Sequence, residues 1–257
     1  MLLKSLGLAI GIQAAFGIPG AYYKSEKYYD FSGAVTHIAL VLFSMRNGVG
    51  VNTHTIIANA ISIGWAARLG GFLAYRMYKL GEDTRFEKIK ENKLRFLNAW
   101  FLQALWCTLI QTPLILMNAY SPVRSLSLLD KVLAGGWISS VCLEALADKQ
   151  KWSYKANRKE TDPGFTCTGL WKYSQHPNYF FEISSWTFAW LYTCRNIGLS
   201  NLAIGAVSPA FTATLLLFVS GIPMSKTKQK YGSDSRYADY EKSTSEVIPW
   251  FPKSKSQ

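Results

Sequence analysis

The sequence predicts an all-α, polytopic membrane protein of about seven transmembrane helices, with six as the other count that fits. Three observations carry this. Charged residues are only 17% of the 257-residue chain, against 14% aromatics that include nine Trp. They crowd into a few connecting stretches, and the segments left between them approach the ~20 residues a bilayer helix needs. Basic residues also alternate between rich and poor connections, as the positive-inside rule requires. A hydrophobic content of 49% and a mean hydropathy of +0.05 would not separate this chain from a soluble one. The segregation of charge does.

The first segment, 2–22, reads as a retained span. Lys4 and the apolar run after it could also open a signal peptide, but Gln13 interrupts the run and no small-x-small cleavage site stands out near Ala21. The next segments are 31–45, 53–75, 94–117, 126–147, 179–194 and 200–222, of which the second and sixth are short for a span. With seven spans, one side of the membrane holds 21 Lys and Arg in its connections and the other holds three. That imbalance predicts a cytosolic C-terminus, cytosolic 76–93 and 148–178 loops, and an N-terminus outside or in a lumen. The expected organisation is one membrane domain over 1–257, with 148–178 and 223–257 as its cytosolic loop and tail.

Composition also excludes some functions. A net charge of +12 would suit nucleic acid. The basic residues lie instead in membrane-side loops with no nucleic-acid motif, where they face membrane lipids and a phosphorylated ligand. Cys107, Cys142 and Cys194 lie in or at the end of spans, and Cys167 falls in a cytosolic loop as a free thiol. Without C-x-x-C spacing, and with only three His, no metal site is expected.

Ionisable groups inside spans are costly and usually functional, which singles out Arg68, Glu144, Asp148 and Glu182. Glu144 and Asp148 share a helix face, where snorkelling at a helix end is the plainer reading. His37 and His54 read as structural. The most informative stretch is 169–186, GLWKYSQHPNYFFEISSW. Pro177 suits the first position of a helix, which leaves Asn178, Tyr179 and nearby amides at an N-terminus suited to anions. Asn178 and Glu182 then lie one turn apart on one face. An interfacial linker with an aromatic belt also fits these residues.

The run GLW-x-x-S-x-HPNY-x-x-E-x-x-x-W resembles the C-terminal domain shared by steroid 5-alpha-reductases, sterol reductases and their uncharacterised relatives. The segments 64–86 (GWAARLGGFLAYRMYKLGEDTRF), 143–151 (LEALADKQK) and 237–253 (YADYEKSTSEVIPWFPK) are similar to the uncharacterised branch. The resemblance implies a membrane-embedded, NADPH-dependent reductase of a carbon–carbon double bond in a lipophilic, steroid-like or lipid substrate. By that resemblance Lys155 or Arg158 takes the cofactor phosphates, and Trp171, Asn178, Tyr179 and Glu182 line the nicotinamide end. Leu170 and His176 belong to the same set, and Tyr231 closes the pocket from the tail. Tyr179 and Glu182 are the catalytic candidates. Without a GxGxxG turn after a strand, a Rossmann site is not expected.

Two positions depart from the family pattern. Gln175 stands where Arg is usual, and Phe181 where a small residue is usual. Isoprenylcysteine carboxyl methyltransferases are distantly similar through a His-Pro-x-Tyr run. An S-adenosylmethionine-dependent methyltransferase of a prenylated or lipid substrate is therefore the alternative, as is a non-catalytic membrane protein that keeps the fold. The final residues, 253–257 (KSKSQ), resemble a dilysine retrieval signal, which implies the endoplasmic reticulum membrane if the source is eukaryotic.

Overall fold

The computed structural model describes residues 1–83, 85–195, 197–223 and 230–253. Among these the chain is all-helical, with no strand, as the sequence predicts. The helices are α1 (Leu2–Tyr23), α2 (Tyr29–Arg46), α3 (Thr53–Leu80), α4 (Lys93–Tyr120), α5 (Leu128–Asn157), α6 (Pro177–Cys194), α7 (Leu199–Gly205), α8 (Val207–Thr214) and α9 (Ser235–Ser243). Their ends follow local chemistry. Asn52 caps α3 through a reciprocal pair with Thr55, Asn92 caps α4, and Asp234 caps α9.

Among the described residues, four segments are long and apolar enough to cross a membrane: α1, α3, α4 and the stretch Leu199–Val219, which joins α7, α8 and a following π-helical turn. The predicted segments 31–45, 126–147 and 179–194 are helical as α2, α5 and α6, but do not reach that length and apolarity together. Part of the 223–257 tail, and Lys255 of the dilysine-like ending, lie outside the described residues.

The described residues form two compact units. In the first, 1–134 with 187–208, helix α4 packs against α1, α2 and α7, and α2 packs against α3. Its interior is tied by side-chain hydrogen bonds as well as apolar contact. Gln13 Nε2 donates to Thr36 at 2.8 Å, and Gln103 Nε2 donates to Ser32 at 3.1 Å and to the Tyr29 carbonyl at 2.8 Å. Farther along, Asn59 and Asn118 exchange amide hydrogen bonds at 2.9 and 3.1 Å, and Asn118 also donates to Ser44.

Two charged clusters complete this unit. The first joins Asp83 and Arg85, after α3, to α2 and the turn before it. Arg85 grips Asp83 and also reaches Asp30 at 3.3 Å, while the Asp83 amide donates to Glu26 at 3.1 Å. Burial would raise the Asp83 carboxyl, but Arg85 holds it below its ordinary value. In the second cluster, Asp130 is fully buried and accepts from Arg124 at 2.8 Å and from Arg195 at 2.9 Å, with His54 Nε2 3.4 Å away.

Candidate functional site

The second unit, 135–186 with 209–257, carries the 143–151, 169–186 and 237–253 motifs. Gly169 opens a short 3₁₀ turn, Gly169–Lys172, with φ +63, a conformation that favours glycine. A Cβ there would sit 2.6 Å from the Gln150 carboxamide. That carboxamide is occupied, because Gln150 Oε1 accepts the Leu170 amide at 2.9 Å. The next residue, Trp171, is 3% exposed and donates its indole N–H to the Ala147 carbonyl at 3.0 Å. Lys151 lies over the same ring, its Nζ 4.6 Å from the centroid, a cation–π contact.

At the start of α6, Pro177 takes the first helical position, as predicted. Asn178 Nδ2 donates to Asp148 Oδ1 at 3.2 Å. The two sequence motifs therefore interlock residue by residue: Ala147, Asp148, Gln150 and Lys151 on α5 hold Trp171, Asn178, Leu170 and again Trp171. Spacing suggested that Asp148 was a snorkelling end group. Its partner is Asn178.

The Asn178 amide is only half used, since its Oδ1 is buried with no hydrogen-bond partner. One turn on, Glu182 Oε1 accepts the Trp186 indole N–H at 3.1 Å. The rings of His176 and Tyr179 stack in parallel, 5.0 Å apart and 2° from coplanar. Burial, with the nearby Lys151 charge, lowers His176 to about 4, so it is neutral near pH 7 and offers no cation to a phosphate. The first-turn amide of Tyr179 is already bonded to the His176 carbonyl at 3.1 Å.

Lys155 and Arg158 are exposed, one in the last turn of α5 and the other just beyond it. The Tyr231 ring stands 5.9 Å from Phe165 and fills the space beside Gly164, where a Cβ would overlap it. The tail clamps the motif loop from its other side. Tyr240 Oη donates to the Trp171 carbonyl at 2.6 Å, burial raising its phenol well above the ordinary range. Ser174 donates to the Val247 carbonyl at 2.7 Å, and the Trp250 amide to the Tyr173 carbonyl at 2.9 Å.

Gln175 belongs to this clamp. Its Nε2 donates to the carbonyls of Thr244 at 2.9 Å and Glu241 at 3.2 Å, where α9 ends, and its amide donates to the Ser245 carbonyl at 2.8 Å. The Glu241 and Thr244 carbonyls are ones a helix end leaves unsatisfied. Phe181 packs edge-on against Phe180, with centroids 5.3 Å apart. The partners that sequence reasoning missed are Lys151 and Tyr240, and it assigned Gln150 no role. Their signal was position, since Gln150 and Lys151 close the LEALADKQK segment and Tyr240 is the fourth residue of the tail motif.

A dinucleotide has matching groups here. The buried acceptor Asn178 Oδ1 suits a carboxamide N–H, and Lys155 and Arg158 offer exposed cations to phosphates. Among the described residues, no cluster of three or more His, Cys, Asp or Glu could hold a metal ion.

Comparison with known proteins places this arrangement in a family. Over 202 residues, the chain is 25% identical to the uncharacterized protein C594.04c of Schizosaccharomyces pombe. That stretch covers 66% of this chain and 58% of the yeast protein, so the chain spans less than two thirds of this relative. No solved structure matches. A family model described as a protein of unknown function, DUF1295, matches residues 16–244, which takes in both interlocked motifs and the first part of the tail clamp. The chain therefore belongs to the DUF1295 family.

Proposed function

We propose that this protein is a membrane-embedded reductase that uses NADPH to reduce a carbon–carbon double bond in a lipophilic substrate, from a site on the cytosolic face of an endoplasmic reticulum membrane. The steroid 5-alpha-reductase-like character of its family supports this reading. The observation that carries it is the half-used Asn178 amide: Asp148 fixes Nδ2, and the buried Oδ1 is left to accept from a ligand. A purely structural asparagine in this position would be expected to spend both ends.

When bound, NADPH supplies a hydride. The residues of the chain do the rest. Asn178 orients a carboxamide, and Lys155 and Arg158 hold phosphate charge. The bond from Trp186 fixes the Glu182 carboxylate one turn below Asn178. The Tyr179 phenol and the Glu182 carboxyl are the candidate groups for acid–base work beside the substrate. The interlock of the two motifs keeps these groups on rigid helices, as precise positioning demands.

The test is thermal stability of the full-length protein in detergent with NADPH, NADH and S-adenosylmethionine added separately. NADPH should raise the melting temperature most. Stabilisation by S-adenosylmethionine alone would transfer the protein to the methyltransferase reading, and stabilisation by none would remove the reductase.

A further inference from the structure

A second polar group without a partner lies in the first unit, away from the 169–186 motif in sequence. His37 on α2 is 2% exposed. Its Nδ1 faces Gln111 Nε2 at 3.2 Å, and Ser62 holds the Gln111 amide, donating to Oε1 at 3.2 Å and accepting from Nε2 at 3.0 Å. With Nδ1 accepting from the amide, the ring hydrogen resides on Nε2. That Nε2 is buried and has no hydrogen-bond partner. Trp65 and Trp106 flank the ring edge-on, each centroid 5.0 Å away, so the imidazole cannot swing to find one.

His37 lines a cavity of about 30 Å³, together with Trp65, Trp106, Leu69, Gly70 and Asp30. This is room for one or two water-sized groups. It is too little for a fused ring system. Beside it α2 and α3 touch closely, since a Cβ on Gly70 would overlap that of Ala34. The lining holds no Lys or Arg, and its Asp30 carboxylate is already paired with Arg76 and Arg85, so an anionic head would be buried there without a cation.

We propose that His37 anchors a lipid-binding site in this helical unit. The Nε2–H donates to the terminal oxygen of a neutral linear lipid, an alcohol or aldehyde, whose hydrocarbon chain lies along the apolar wall of Leu69 and Leu73. This site does not depend on the cofactor reading, and its ligand is selected by a neutral oxygen on a slender chain rather than by a ring skeleton.

The experiment is saturation binding of radiolabelled hexadecan-1-ol to the full-length protein in detergent, with hexadecanal, hexadecane, palmitate and progesterone as competitors. Hexadecanal should compete about as well as the alcohol, and hexadecane, palmitate and progesterone far less. His37→Leu should weaken the alcohol by about fivefold or more, and His37→Gln, which retains a donor, should recover part of the loss. Gln111 keeps Ser62 as a partner in both variants, so unliganded melting temperatures should stay close to wild type. If His37→Leu does not fold, His37→Gln and the competitor series still decide. Equal competition by hexadecane, stronger competition by progesterone, wild-type affinity in His37→Leu, or no saturable binding would each overturn the proposal. NADPH stabilisation measured on the same preparations reports separately on the reductase reading.

Discussion

Asn178 and Asp148 are joined by a single hydrogen bond of 3.2 Å, and that bond ties the start of α6 to α5 in the second unit. Asn178→Ala should cost about 1 kcal/mol of stability and weaken NADPH by more than it destabilises the protein. Asp148→Asn should weaken NADPH only mildly, since an amide oxygen can still accept from Nδ2. Calorimetric titration with NADPH beside a melting curve separates the two effects. Equal loss of affinity in both variants would show that Asn178 matters only through its bond to Asp148.

At the phosphate end, Arg158→Ala should weaken NADPH several-fold more than NADH. The extra phosphate of NADPH is the one group that distinguishes them, and a charge-assisted contact to it is lost. Equal weakening of both nucleotides would move that contact to another residue, with Lys155→Ala the next variant to titrate.

Gly169→Ala should destabilise the protein by about 1–2 kcal/mol, because φ +63 penalises a side chain and Gln150 occupies the space. Adding Gln150→Ala removes the overlap but leaves the backbone penalty, so the double variant should recover less than half of the loss. Complete recovery in a denaturation curve would mean that the dihedral costs nothing.

The pH dependence follows from His176. Its folded value of about 4 lies below the ordinary 6.5, so between these values the unfolded chain binds more protons than the folded one. Stability should therefore fall as pH drops from about 6.5 towards 4 and change little through this group outside that window. His176→Gln should flatten the acid side of a melting-temperature profile from pH 4 to 7. An unchanged slope would assign the acid sensitivity to other groups.

Asp130→Ala should be among the more destabilising single changes in the first unit, by about 2 kcal/mol or more. It strips Arg124 and Arg195 of a shared, fully buried partner, although both guanidinium groups keep access to solvent. Urea or thermal unfolding in detergent would check it. A loss under about 0.5 kcal/mol would show that solvent compensates both arginines fully.

Much of the fold was legible because membrane helices are written in runs of apolar residues. The helix opening at Pro177 was visible from one residue. The helical segments appeared where the charge pattern placed them, but α2, α5 and α6 carry too many polar groups to count as spans by composition. The site was half legible. Trp171 and Asn178 stood out as motif residues, whereas their partners lie 24 and 30 positions earlier, a separation that helical periodicity does not encode. Gln175 was the hardest to read. It looked like a lost cation because its partners are backbone carbonyls, which have no sequence signature.

The amides and hydroxyls inside the first unit set the registry of its helices. In a bilayer one leucine contact is nearly as good as another, so apolar packing alone would let helices slide past each other at little cost. A shift of α4 by one turn would tear Gln103 from Tyr29 and Ser32, and Asn118 from Asn59 and Ser44, all at once. Because these residues recur along the length of α4, they act like teeth on a key that seats at a single depth.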